Sequence, residues 1–207
     1  MSTTDPTPRA RILAAALQVF SADGFDAGSI NDVAIAAGMS RHNLLYYFPT
    51  KREVLLAVLD ARDENLDARL RWMESATDLS LAEFTESLTD VLGDIYADRQ
   101  LMQLYHRLGA EAADPQHPAY PWISARYRRL REATRRVLEA SAARGELAPD
   151  LDPVGLSAAL LGAVEGLESQ WLVDPSLDWN RASIALRTML QGVSVTSRMP
   201  PALGETA

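Results

Sequence analysis

Fourteen consecutive residues, GMSRHNLLYYFPTK from Gly38 to Lys51, contain no acid, although the chain carries 28 Asp and Glu against 20 Lys and Arg. The same stretch holds Arg41, His42, Asn43, Tyr46, Tyr47 and Lys51. Arg can donate two parallel hydrogen bonds to guanine, Asn can pair with adenine, and a Tyr hydroxyl can reach a phosphate oxygen. On a helix, Leu44 and Phe48 lie four apart and pack inward, which turns Arg41, His42, Asn43 and Tyr46 outward. Such a face makes a poor core and an unusual solvent face. It suits base edges and phosphates in a major groove. For His42 a bystander role stays open, and for Tyr47 packing against the preceding helix.

Holding that face requires short, well-capped helices. The chain is rich in Ala, Leu, Arg and Glu, its apolar residues recur at helical spacing, and nothing reads as a strand. An all-α chain of about nine helices follows. The first runs from Pro8 to near Ala22, with Ile12, Leu13, Ala16, Leu17 and Phe20 inside and Gly24 as its stop. A short helix follows Ser29, whose N-cap is supported by Asp32. Gly38-Met39-Ser40 makes a three-residue turn, Ser40 caps a helix from Arg41 to near Tyr47, and Pro49 stops it. Two short helices across a Gly-containing turn are the helix-turn-helix signal. Thr50-x-x-Glu53 then opens a long helix reaching about Glu74. Five more are expected near 80–98, 99–112, 122–144, 153–172 and 179–197, separated by Pro, Gly and Asp clusters.

From Ala10 to Leu56 the sequence resembles the TetR-type (tetracycline-repressor) transcriptional regulators. The resemblance rests on Phe20, Gly24-Phe25, Ser29, Val33-Ala34, Ala37-Gly38-Met39-Ser40, Leu44, Phe48 and Lys51. It implies a helix-turn-helix domain over 1–52, with residues 1–8 as a flexible arm. It also implies an effector-binding and dimerisation domain over 53–199 and a disordered tail over 200–207. By that likeness Arg41, His42 and Asn43 read bases, Tyr46, Tyr47 and Lys51 grip the DNA backbone, and Ser29 and Asn31 touch phosphate. Leu45 stands where Tyr is frequent in the family and could meet a thymine methyl; Tyr47 stands where His is frequent.

The acidic net charge of −8 divides unevenly, at +1 for residues 1–52 and −9 for the remainder. The local field, and not the total, governs contact with phosphate. The absence of cysteine favours a cytoplasmic protein without disulfides. No apolar run approaches the roughly 18 to 20 residues that cross a bilayer, and MSTTDPTPRA lacks the build of a signal peptide. The chain shows no Glu-x-x-His pair, nucleophile elbow, Gly-rich phosphate loop or HExxH, and its three His are scattered. No enzyme, cofactor or metal site is therefore expected.

One helix-turn-helix reads few base pairs, and dimers supply two half-sites about 34–36 Å apart. The last two helices are the expected homodimer face, through Gly162 and Gly166 on one and Ile184, Leu186, Met189, Leu190 and Val193 on the other; burial inside one protomer is the alternative. A mostly apolar effector pocket is expected from Trp72, Met73, Met102, Tyr105, His106, Trp122, Tyr127, Glu165, Glu168 and Trp171, each of which also reads as core. Glu165 and Glu168 on an apolar helix face a cationic ligand, pair with Arg across a dimer, or lie exposed. The expected function is a repressor released from a palindromic DNA operator by a small molecule. A helical protein-interaction module without DNA binding is the competing reading.

Overall fold

Side-chain caps set where most of the helices begin. The Thr7 hydroxyl accepts the Ala10 N–H at 3.2 Å, and Pro8 fills the first turn of α1 (Pro8–Ala27). Ser29 and Asp32 form a reciprocal capping box before α2 (Ile30–Ala36). Ser40 caps α3 (Arg41–Tyr47) through the Asn43 N–H at 3.1 Å, and Thr50 caps α4 (Lys51–Ser75) through the Glu53 N–H at 3.2 Å. Ser80 and Glu83 close a second capping box before α5 (Leu81–Ala97). Asp98 caps α6 (Arg99–Glu111), Asp152 caps α8 (Pro153–Val173) and Asp178 caps α9 (Trp179–Gln191); α7 spans Tyr120–Ala143. Each such cap contributes about 1 kcal/mol. The computed structural model describes residues 6–75 and 79–194, with the backbone alone at 62–67, 69–70, 72–75, 89 and 94–96. Among the described residues there are nine helices and no strand.

The chain divides into two compact units. The first takes the residues up to Ala68 together with Asp98–Tyr127, so it includes α6 and the start of α7 as well as α1–α3. α1 packs on both α2 and α6. Its core gathers Ile12, Ala16, Leu17 and Phe20 of α1, Val33 of α2, Leu44 of α3, Val54, Leu55, Val58 and Leu59 of α4, and Leu104 and Leu108 of α6. Burying each large aliphatic side chain is worth about 1.5–3 kcal/mol. The second unit takes Arg69–Ala97 and the residues from Arg128 on. In it α5 packs on α9, and the Trp179 indole N–H donates to the Leu92 carbonyl at 3.0 Å. Arg144 and Glu146, after α7, bind the start of α5. The Arg144 guanidinium donates to the Leu79 carbonyl at 2.6 Å, and the Glu146 carboxylate accepts the Leu81 N–H at 2.9 Å.

Three boundaries differ from the sequence expectation. Gly24 has φ 84° and ψ 171°, so it breaks α1 as expected, but a further helical turn follows to Ala27, closed by Gly28 N–H to Gly24 O at 3.2 Å. α7 begins at Tyr120, because His117 and Ala119 already accept the N–H groups of Tyr120 and Ile123. α9 was expected to reach Ser197 and ends at Gln191. Gly192 follows, and Leu147 and Ser194 then form an isolated antiparallel bridge. The expected N-terminal arm falls outside the described residues over 1–5, and the expected tail over 200–207 does so entirely.

Two consequences can be measured. Leu44 is fully buried, so Leu44→Ala is expected to destabilise the fold by about 2–5 kcal/mol in urea unfolding. The Arg144 guanidinium holds the Glu146 carboxyl at about 2. A lowered folded value means stability that is present above the ordinary carboxylate value of about 4.3 and lost as pH falls. The stability difference between wild type and Glu146→Gln is therefore expected to be full at about pH 6 and to close toward pH 2, read by thermal unfolding.

Candidate nucleic-acid interface

α2 ends in a paired turn that aims α3. The Met39 N–H returns to Ala34 O and the Gly38 N–H to Ile35 O, each at 3.0 Å. Gly38 sits at φ 65°, the left-handed conformation this motif requires and an L side chain resists. Leu44 then seats α3, with Phe48 buried just past its end. The opposite face is open. Arg41, His42 and Asn43 are exposed, as is Asn31 on α2, and Leu45 is half-buried. Tyr46 is 83% exposed and Tyr47 42%, with their rings edge to face at 5.4 Å. Tyr47 therefore stands at the surface and not in the core. This places a guanidinium, an imidazole, a carboxamide and two phenols on one short helix, all free of the packing that holds it.

Ser29 and Lys51 are more engaged than the sequence suggested. The Ser29 hydroxyl accepts the Asp32 N–H at 3.1 Å and donates to the Asp32 carboxylate. That hydroxyl, with the Ser29 N–H, holds the Asp32 carboxyl below its usual value. A phosphate at Ser29 would compete with this internal acceptor. The Lys51 ammonium donates to the Asp26 carbonyl at 3.2 Å and lies 4.2 Å from the centre of the Phe25 ring. Burial pushes its pKa down, against the pull of Asp26 and Glu111. Lys51 was expected to grip the DNA backbone; in the structure it is half-buried and ties the start of α4 to the end of α1. Its neighbour Glu111 escaped the sequence reading altogether, since it meets Phe25 across 86 positions of chain.

The expected effector residues fall into separate groups. In the first unit, Tyr105 and Trp122 stack at 5.9 Å, and the Arg126 guanidinium lies 4.3 Å from the Tyr105 ring centre. The Trp122 indole N–H donates to Asp60 at 3.0 Å. Met102 is buried, and His106 and Tyr127 are half-buried. In the second unit, Trp171 is buried and packs against Trp179, at 5.5 Å between ring centres. Glu168 is buried too, which removes the exposed alternative for it, while Glu165 is half-buried. The side chains of Trp72 and Met73 lie outside the described residues. A surface depression of about 420 Å³ at the end of α8 is lined by Ser169, Gln170, Val173, Asp174 and Leu177, and by none of the expected residues.

The expected dimer residues also separate. Leu186 and Leu190 are 7% and 4% exposed, so within the protomer they are buried. Gly162 and Met189 are exposed, and Gly166 and Val193 partly so, the Val193 carbonyl accepting the Ala148 N–H at 3.0 Å. Ile184 is 51% exposed and Met189 72%. Along α8 the exposed side reads Gly155, Ala158, Ala159, Gly162 and Ala163. A methyl added at Gly162 or Gly166 would meet open space, so packing within the protomer does not require these glycines.

Comparison with known proteins agrees with this geometry. Residues 12–58 match the family model described as bacterial regulatory proteins, tetR family. The probable HTH-type transcriptional regulator ArpR of Pseudomonas putida is 27% identical over 86% of this chain and 94% of its own. The HTH-type transcriptional regulator RutR of Escherichia coli K12 is 50% identical, but over 48 residues, 23% of each chain. The solved complex of SmeT with triclosan has the same fold, with a TM-score of 0.79 at 20% identity over 97% of this chain and 98% of that one. The helix-turn-helix signature, the exposed α3 face and a regulator matched along nearly its whole length agree: residues 12–58 carry a helix-turn-helix of the tetR type, and the chain as a whole is similar to bacterial transcriptional regulators.

Proposed function

We propose that the protein is a homodimeric transcriptional repressor that binds a palindromic DNA operator through α3 and releases it when a small molecule binds. One observation carries the reading: α3 is seated by Leu44, with Phe48 buried at its end, and presents Arg41, His42, Asn43 and Tyr46 to solvent. Arg41 and Asn43 read base edges, Tyr46 and Tyr47 hold phosphates, and Leu45 meets a thymine methyl. Ser29 and Asn31 add contacts at the start of α2. Lys51 contributes mainly by fixing α4 against Phe25.

Dimerisation follows from the same need for two half-sites. The exposed small-residue side of α8, with Ile184 and Met189 of α9, allows close approach of a second copy. Effector binding is assigned to the aromatic group of Tyr105 and Trp122 in the first unit, with Met102, His106 and Tyr127 near it in sequence. SmeT, a protein of the same fold, binds the apolar aromatic molecule triclosan, which supports a ligand of mostly apolar character here. A ligand acts by favouring the conformation that reads DNA less well, and only to the extent of its differential affinity. No described helix is long and apolar enough to cross a membrane.

The test is fluorescence anisotropy with a duplex enriched by the protein from a random-sequence library, and with its scrambled counterpart. Selective binding that weakens by about 10³–10⁵ between 50 and 200 mM salt is expected if some 6–10 phosphates are contacted. Arg41→Ala should cost about 1–3 kcal/mol and relax the preference at one base position. Binding without salt dependence, or none to any duplex, would sink the DNA reading in favour of a protein-interaction module. In sedimentation, the wild type should have twice the 22.7 kDa chain mass, and Gly162→Trp should shift it toward the monomer.

A further inference from the structure

Where α1 breaks, the structure places a carboxylate. Gly24, at φ 84° and ψ 171°, rotates the next peptide out of the helical ladder. The Phe25 N–H so displaced donates to the Glu111 carboxylate at 3.2 Å. Only glycine leaves room for this approach: a Cβ at Gly24 would lie 2.3 Å from the other Glu111 oxygen. Glu111 is the last residue of α6, and its side chain is 24% exposed. The carboxylate oxygen that accepts the Phe25 N–H also faces His117, which is buried. The His117 Nδ1 accepts the Ala119 N–H at 3.2 Å, which leaves Nε2 as the N–H that faces Glu111 at 3.5 Å. The His117 ring also meets the Phe25 ring edge to face at 5.3 Å. The opposite relation belongs to Lys51, whose ammonium lies over Phe25 and donates to the Asp26 carbonyl.

These contacts form one chain from the C-terminus of α6, through the break in α1, to the first residue of α4. Lys51 follows Phe48, the C-cap of α3, by three positions. We propose that Glu111 is a positioning residue for DNA reading: by holding the Phe25 backbone at the Gly24 break it sets where α1 ends and α4 begins, and so the angle at which α3 is presented. The role rests on the DNA-binding reading above. It differs from a merely stabilising role in a specific way. Loss of a stabilising contact lowers the melting temperature and leaves the affinity of the folded protein unchanged. Loss of a positioning contact lowers affinity for the correct sequence, which demands aligned base contacts, and spares non-specific binding, which needs only charge.

The experiment compares wild type, Glu111→Ala and Glu111→Gln on the enriched duplex and its scrambled version, with thermal unfolding and amide exchange at Phe25 alongside. Glu111→Ala is expected to bind the enriched duplex about tenfold more weakly, the scale of a lost hydrogen bond to a charged group, with scrambled binding held within about twofold. Phe25 exchange should quicken. Glu111→Gln keeps an acceptor oxygen and should recover part of the selective affinity while remaining folded. Equal selective affinity in all three folded proteins would overturn the role of Glu111 and leave the regulator reading intact. A wild type that binds no duplex would overturn both.

Discussion

Seven residues do not make a stable helix in water, and both α2 and α3 have seven. Helices this short are marginal even in Ala-rich peptides, so their order must come from packing. The burial of Leu44 against the core of α1, α4 and α6 supplies it for α3. That single constraint explains the division of labour along GMSRHNLLYYFPTK. One side chain of α3 goes wholly inward, one is half-buried, and the remaining five are left outside. The unit that seats α3 draws on Leu104 and Leu108 of α6 and on Ile123 of α7.

What was legible in the sequence was whatever is decided by near neighbours. Gly38, Ser40, Leu44 and Phe48 lie within eleven residues, and their turn, cap and buried pair follow from local stereochemistry. The capping boxes at Ser29 and Ser80 are local in the same way. Legibility failed where the partner is distant. Lys51 looked like a phosphate ligand because its direction depends on Phe25 and Asp26. Leu186 and Leu190 are buried within their own chain, and a helical stripe of apolar side chains does not say which helix it meets. Glu111 carried no sequence signal at all: a Glu at a helix end is ordinary, and Gly24 announces a break without naming what fills the space.

Charge follows the same partition. The stretch that faces outward on α3 contains no acid; in the same unit Asp32 accepts the Ser29 N–H and hydroxyl, and Glu111 accepts the Phe25 N–H. A protein of net charge −8 can thus present an acid-free helix face to a polyanion without a basic domain.

The placement of the tryptophans has an optical consequence. Trp122 belongs to the first unit, half-buried, stacked on Tyr105 and hydrogen-bonded to a carboxylate. Trp171 and Trp179 belong to the second, both buried and in contact with one another. An indole beside an ionised acid and a phenol emits differently from a pair in an apolar interior. The intrinsic emission of this chain therefore combines Trp122 of the first unit with the Trp171–Trp179 pair of the second, in addition to Trp72. With Trp72 replaced as well, exchanging either set for Phe would give a spectroscopic handle on one unit at a time, without attaching a dye.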